Sequence, residues 1–307
     1  MRHGILGAGG VGGLVGAVLA NAGEDVTLIV RPGTEQRYPH ELFLDSTFGA
    51  IKAPVFVVPS VEQPLNVLWI TVKATQLEDA LSSISFGLQI DAVVPLLNGI
   101  DHVEKLRQRF GSEKVVPAAI AVESERIAPG RIVQRSPFVR LNVATQGKDL
   151  LATAMDAFQR FGFDCKFVED ERTLLWSKVV FLAPLALSTA AARCTVGEVI
   201  SDPARSARLE ACVREACSVA SATGAKVDAN VILASIRALP PGMRSSMEKD
   251  VSNGNVPELD AIGGPIIRGG ESYGIPVHAT LELARAVQTH LSRSREGMDE
   301  PTMGTSG

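Results

Sequence analysis

Residues 3–13 read His-Gly-Ile-Leu-Gly-Ala-Gly-Gly-Val-Gly-Gly. Gly7, Gly9 and Gly12 form a G-x-G-x-x-G pattern, with Ala8, Gly10 and Val11 between them. A short apolar run precedes the pattern and an alanine-rich helical stretch follows it. In that context the first glycine allows the tight turn from strand to helix. The second lets the backbone approach a pyrophosphate, and the third lets the helix pack closely on the strand. The phosphates then meet a helix N-terminus, where N–H groups and the positive dipole end favour anions.

Outward from this turn, strand and helix signals alternate. Residues 3–7 read as strand and 10–22 as helix, and the β-branched run 25–31 as a second strand. Residues 41–57 read as a hairpin turning at Asp45-Ser46-Thr47-Phe48-Gly49. Strands are expected at 67–72, 93–97 and 115–122, with helices at 76–84 and 102–110. Residues 130–143 read as two short strands joined at Ser136-Pro137, a hairpin at a sheet edge. Helix 149–161 and strand 164–168 complete this part. The alternation predicts an α/β, Rossmann-type doubly wound, mostly parallel sheet over 1–168.

Strand signals stop at Glu169. Residues 170–190 form a long apolar helical pattern, and Asp202-Pro203 supply an N-cap and a first-turn proline for the next helix. Leu209, Cys212, Val213, Ala216, Val219 and Ala220 follow at helical spacing. Further helices are expected near 228–238, 258–272 and 278–291. An all-α second domain over 169–292 is the reading, and the polar, aperiodic 293–307 reads as a disordered tail.

At 307 residues, two domains are the natural expectation. Apolar residues are 46% and charged residues 21%, as in a soluble globular protein. A net charge of −4 gives no reason to expect nucleic acid or an anionic membrane as partner. The four cysteines lie in no metal-binding spacing, so no metal is expected and the thiols read as reduced in a cytoplasmic protein. Residues 4–20 resemble a signal peptide, but the glycine pattern explains them better. Residues 174–192 approach membrane-spanning length, yet carry Lys178, Pro184 and three hydroxyls, so a buried helix of a soluble protein is expected.

An NAD-specific site carries Asp or Glu at the end of the second strand; this chain has Arg31 there, followed by Pro32. A guanidinium suits a 2′-phosphate, which favours NADPH over NADH or a flavin. Lys73 and Asn98 follow two later strands, where ligands of such sheets bind. Lys178 is the only charge between Leu174 and Ala192. Either it is a solvated helix lysine, or its apolar flanks desolvate it and lower its pKa towards neutrality, as a proton donor needs. Taken alone, Glu258 also reads as a plain acid at a helix start, and Ser246 as a surface hydroxyl or cap.

Together these residues resemble the ketopantoate reductases (2-dehydropantoate 2-reductases). The resemblance covers roughly residues 1–292. It rests on the glycine pattern, Arg31, Val72-Lys73-Ala74, Asn98-Gly99, Pro129-Gly130, Leu175-Trp176-x-Lys178, Gly197-Glu198, Ser246-Met247, Glu258-x-Asp260 and Gly274-Ile275-Pro276. It implies the NADPH-dependent reduction of ketopantoate to pantoate, in pantothenate biosynthesis. In these terms Lys178 is the general acid, and Asn98 positions that lysine and the cofactor. Glu258 contacts substrate and supports catalysis, Ser246 contacts the substrate carboxylate, and Arg31 and Lys73 hold the cofactor. The family's frequent dimerisation through the helical domain makes a homodimer an expected arrangement.

Three substrate positions depart from the family. Polar asparagines are expected four and eight residues after the lysine and just before the Gly-Glu pair, where this chain has Leu182, Ala186 and Val196. Gly263 likewise replaces an asparagine. These side chains cannot hydrogen-bond a carboxylate or hydroxyl, and losing such partners changes discrimination by powers of ten. Two readings follow: a reductase of the family, acting on a less polar carbonyl compound or weakly on ketopantoate, or a non-catalytic NADP(H)-binding sensor or partner-binding protein.

Overall fold

The computed structural model describes residues 1–296. The chain forms two compact units, Met1–Leu175 and from Trp176 onward, taken in turn. The expected division after Val168 coincides with the end of the last strand. The units themselves part seven residues later, inside a helix.

The first unit is built on a five-stranded parallel sheet in the order β5-β2-β1-β6-β7. Its strands are β1 (Arg2–Leu6), β2 (Asp25–Ile29), β5 (Phe56–Val58), β6 (Leu65–Ile70) and β7 (Ile90–Pro95). Alternate side chains leave a strand on opposite faces. Thus Ile5, Leu28, Val67, Trp69 and Val94 enter one core with helices α1 (Gly10–Asn21) and α4 (Lys148–Phe161). Leu6, Ile29, Leu68, Ile70 and Val93 enter the other, with α2 (Leu77–Leu81) and α3 (His102–Phe110). This is the doubly wound arrangement expected.

The remaining strands do not extend this sheet as the sequence implied. β3 (Glu41–Ser46) and β4 (Gly49–Pro54) form the expected hairpin, but Phe56–Val58 leaves it to pair with β2. β9 (Ser124–Ala128) and β10 (Arg131–Gln134) join β3 and β4 in a second sheet, and α1 lies against it: a Cβ on Gly13 would meet Ile132 at 2.4 Å. The expected hairpin at 130–143 does not form. β10 belongs to the second sheet, whereas β11 (Arg140–Ala144) lies between β8 (Ala118–Ala121) and β12 (Asp164–Val168) in a third. Pro137 has no N–H for a ladder. Ser136 instead accepts from Glu123 N (3.1 Å) and donates to Phe138 O (2.6 Å), which diverts the chain.

The second unit is helical. It comprises most of α5 (Glu171–Ala192), then α6 (Val196–Ser201), α7 (Pro203–Ala222), α8 (Ala229–Arg237), α9 (Ser246–Ser252), α10 (Leu259–Tyr273) and α11 (His278–Glu296). α7 is central, packing on α6, α8, α10 and α11. Its expected stripe is buried, and Asp202 caps it by accepting from Arg205 N at 2.9 Å. Glu215 on α7 accepts from Ala279 N and Thr280 N, both at 2.8 Å, satisfying first-turn donors of α11. Residues 293–296 belong to α11 rather than to the expected tail, and 297–307 lie outside the described residues. α5 is the one described helix long and apolar enough to cross a membrane, and 67% of its most apolar window is buried in the protein. All four cysteines are free and buried, and burial pushes the Cys212 thiol up to about 12.

Trp69 and Phe158 anchor the core between sheet and α4. Their rings meet edge to face at 5.6 Å, Phe158 stacks on Phe163 at 5.2 Å, and Trp69 Nε1 donates to His3 Nδ1 at 3.2 Å. Phe158→Ala should therefore destabilise the protein by about 3–5 kcal/mol, read as a lowered denaturant midpoint. Burial also holds the His3 imidazole down at about 4, against the ordinary 6.5. Below pH 6.5 the unfolded state takes up this proton and the folded state does not, so stability falls between pH 6.5 and about 4. In a denaturation series over that range His3→Gln should show a shallower decline.

Candidate active site

The glycine turn is held by contacts that leave one face open. Gly7 has φ +101°, a left-handed geometry that disfavours side chains. Its carbonyl accepts from Gly9 N (2.8 Å) and from the Thr71 hydroxyl (2.7 Å). A Cβ on Gly12 would lie 2.1 Å from Gly7 O and 2.4 Å from Thr71 Oγ1, so only glycine lets α1 start this close to β1. A Cβ on Gly10 would strike Ser124 O at 2.1 Å. At Gly9 a Cβ meets nothing within 4 Å. The open side of the turn thus lies at Gly9, the N-cap of α1, where the first-turn N–H groups lack intrahelical partners. Space and polarity there fit a pyrophosphate. Ala8 is buried, and Val11 packs against the core.

The other expected cofactor residues stand at the carboxyl ends of strands beside β1. Exposed Arg31 follows β2 and opens a turn in which Thr34 N and Oγ1 donate to its carbonyl at 3.0 and 2.7 Å. Exposed Lys73 follows β6, and half-buried Asn98 follows β7. With the glycine turn they form a continuous series across β2-β1-β6-β7, where ligands of open α/β sheets bind. No carboxylate stands at the end of β2. The turn's supports Thr71, Tyr38, Ser124 and Arg126 were not expected from the sequence. Thr71 adjoins the Val72-Lys73 run and could have been noticed. Ser124 and Arg126 lie in a charged strand with little apolar alternation to reveal it.

In the helical unit, Lys178 and Leu182 lie one turn apart on α5, each half-buried. Burial lowers the Lys178 pKa from 10.5 to about 8, and the negative charge of Glu258 acts in the opposite sense. Glu258 is the N-cap residue of α10, at a helix start as the sequence alone suggests, and its carboxylate makes no capping hydrogen bond. Ser246 is exposed, at the first position of α9.

The hydroxyl that caps α9 is Ser245, which accepts from Glu248 N at 3.1 Å and shares a buried hydrogen bond with Thr189 of α5 at 2.7 Å. That pair ties the helix carrying Lys178 to the start of the helix carrying Ser246. The sequence reading missed it, although Ser245-x-x-Glu248 has the spacing of a capping signature.

Ala186 and Val196 are fully buried, at 0% and 1% exposure, so their apolar character is part of the unit's packing. Val196 N and Gly197 N donate to Met243 O (2.9 Å) and Pro241 O (2.8 Å). Glu198 of the Gly-Glu pair closes a capping box with Thr195. A Cβ on Gly263 would meet Leu187 at 3.5 Å, an ordinary contact. Glycine is therefore not demanded there by space.

Two family models match the chain: Ketopantoate reductase PanE/ApbA over residues 3–145, and its C-terminal counterpart over 170–290. A 2-dehydropantoate 2-reductase of Caulobacter vibrioides is 31% identical over 294 residues, covering 90% of this chain and 94% of that protein. The oxidoreductase YkpB of Bacillus subtilis is 27% identical over 276 residues, covering 87% and 91%. Among solved structures, a PanE/ApbA family ketopantoate reductase from Ralstonia eutropha superposes with a TM-score of 0.83 at 25% identity, covering 96% of this chain and all (100%) of that one. A D-mandelate dehydrogenase solved with NADH and anilino(oxo)acetate shares the fold, with a TM-score of 0.83 at 20% identity and coverage of 96% and 100%. With its motifs in order and both halves matched, the chain belongs to the ketopantoate reductase family of oxidoreductases.

Proposed function

We propose that this protein is an NADPH-dependent reductase of a 2-keto acid or related ketone less polar than ketopantoate, with Lys178 as the proton donor. The observation carrying this reading is a half-buried lysine on the apolar helix α5 that feels the negative charge of Glu258, with burial bringing its pKa down to about 8. When bound, the dinucleotide supplies the hydride that adds to the carbonyl carbon. As the carbonyl electron pair moves onto oxygen, the Lys178 ammonium stabilises the growing charge and transfers a proton to that oxygen, leaving a neutral amine and an alcohol. A pKa near 8 keeps the ammonium populated at neutral pH while making its proton easier to lose than an exposed lysine's. Glu258 favours the charged form, and so keeps the donor loaded.

Arg31 and Lys73 support the choice of NADPH: cations at the ends of β2 and β6, with no carboxylate at the end of β2 to bond a ribose hydroxyl. Asn98 is assigned to positioning the lysine and the cofactor, and Ser246 to the substrate carboxylate. Half-buried Leu182 supports the altered substrate, since it cannot hydrogen-bond the hydroxyl or carboxylate of ketopantoate; Ala186 and Val196, fully buried, belong to the packing of the helical unit. The same loss of polar side chains favours one other reading, an NADP(H)-binding protein without turnover. A dimer through the helical unit remains part of the proposal.

Purified protein, NADPH and a panel of ketopantoate, oxoacetates with apolar substituents and simple ketones separate these readings through loss of NADPH absorbance. At least one apolar keto acid should exceed ketopantoate in kcat/KM by about ten-fold or more. Ketopantoate turnover at least as fast contradicts the altered pocket, and binding of NADPH with no turnover on any ketone supports the second reading.

Because the protonated lysine is the active form, kcat/KM for reduction should fall as pH rises through about 8. Glu258→Gln removes the charge that raises this pKa, so the break should move to lower pH; an unmoved break would show that the two groups do not act together. Lys178→Met should lower kcat by about 10²–10⁴-fold while NADPH binding, followed by nucleotide fluorescence, is retained.

A further inference from the structure

A cation outside the glycine motif stands beside the open turn. Side chains alternate along β9, so Ser124 and Arg126 leave it on one side and Glu125 on the other. The Ser124 hydroxyl donates to Gly10 O at 2.9 Å, which identifies that side as the one facing the start of α1. Arg126 donates to the Tyr38 hydroxyl, and its guanidinium carbon lies 5.8 Å from the centre of the Tyr38 ring. Tyr38 is buried, and its own hydroxyl points to Ala8 O at 3.5 Å, one residue from the open face at Gly9. Arg135, the residue after β10, is paired with Glu125 at 3.3 Å, whereas no ion pair engages Arg126 among the described residues.

We propose that Arg126 is a further anion-binding residue of the cofactor site, held by Tyr38 to bond the dinucleotide pyrophosphate over the glycine turn. This rests on the dinucleotide reading above. A pyrophosphate carries two negative charges, and the N–H groups at a helix start offset only part of them. A guanidinium adds a planar fork that can bond two phosphate oxygens. Contact with the Tyr38 ring and hydroxyl restricts the arginine before the ligand arrives, so less freedom is lost on binding. Arg126 would serve the part common to NADPH and NADH, leaving Arg31 to the 2′-phosphate that distinguishes them.

Titrations of the full-length protein with NADPH and with NADH, followed by nucleotide fluorescence, test this division. Arg126→Ala should weaken both nucleotides by a similar factor, about ten-fold or more, and Tyr38→Phe should weaken both by less. Arg31→Ala should weaken NADPH alone, and Arg135→Ala should change neither. Unfolding midpoints taken in parallel establish that each variant is folded. Folded Arg126→Ala protein binding both nucleotides within about two-fold of wild type, or losing affinity for NADPH alone, overturns the proposal. Wild-type protein that binds neither nucleotide overturns the dinucleotide reading itself, an outcome visible before any variant is made.

Discussion

The approach of α1 to β1 at Gly12 is the constraint on which the cofactor half depends. A side chain there would occupy the space of the Gly7 carbonyl and the Thr71 hydroxyl, so helix and turn would have to separate. Without one, α1 begins directly over the end of the strand, and its first-turn N–H groups face the one side of the turn left unfilled, at Gly9. The same register puts Gly10 against Ser124 and Gly13 against Ile132. The second sheet is thereby seated on α1, and Tyr38 and Arg126 are carried to the rim of the turn. One missing methyl group connects the sheet topology to the electrostatics of the site.

The helical unit solves a different problem. Its longest apolar helix carries an ammonium, which burial penalises. Glu258 offsets part of that penalty, and the balance leaves the Lys178 pKa closer to neutral pH than that of a surface lysine. Around it the unit has kept polar groups where they hold structure, as with Thr189 and Ser245 across two helices, the Thr195–Glu198 capping box, and Glu215 at the start of α11. Positions 182, 186 and 196 are apolar.

Much of this was legible in the sequence, for identifiable reasons. The glycine turn, the helix at 102–110 and the strand at 164–168 carry strong local signals, and the structure places the last two at those residues. The division of the strands among three sheets was not legible, because pairing is a long-range choice that local pattern does not encode. Residues 130–143 look like a hairpin locally, yet β10 prefers β3, some ninety residues earlier in the chain, and β11 prefers β12. β9 was hidden by its charges, and α6 and α9 by their shortness, although both begin with a hydroxyl–Glu spacing that marks helix starts. The chemistry of Lys178 was only half legible: the apolar flanks were visible, but the opposing carboxylate, eighty residues on, needed the fold.

The most direct test of the account is the titration of Lys178 itself. In full-length protein carrying isotopically labelled lysine, the Lys178 side-chain resonance, assigned by its loss in Lys178→Met, can be followed by NMR as pH is raised. A midpoint near 8, well below that of the other lysines, is the result predicted. A midpoint at the ordinary lysine value of 10.5 would mean that the ammonium is solvated, and would contradict its assignment as the tuned proton donor.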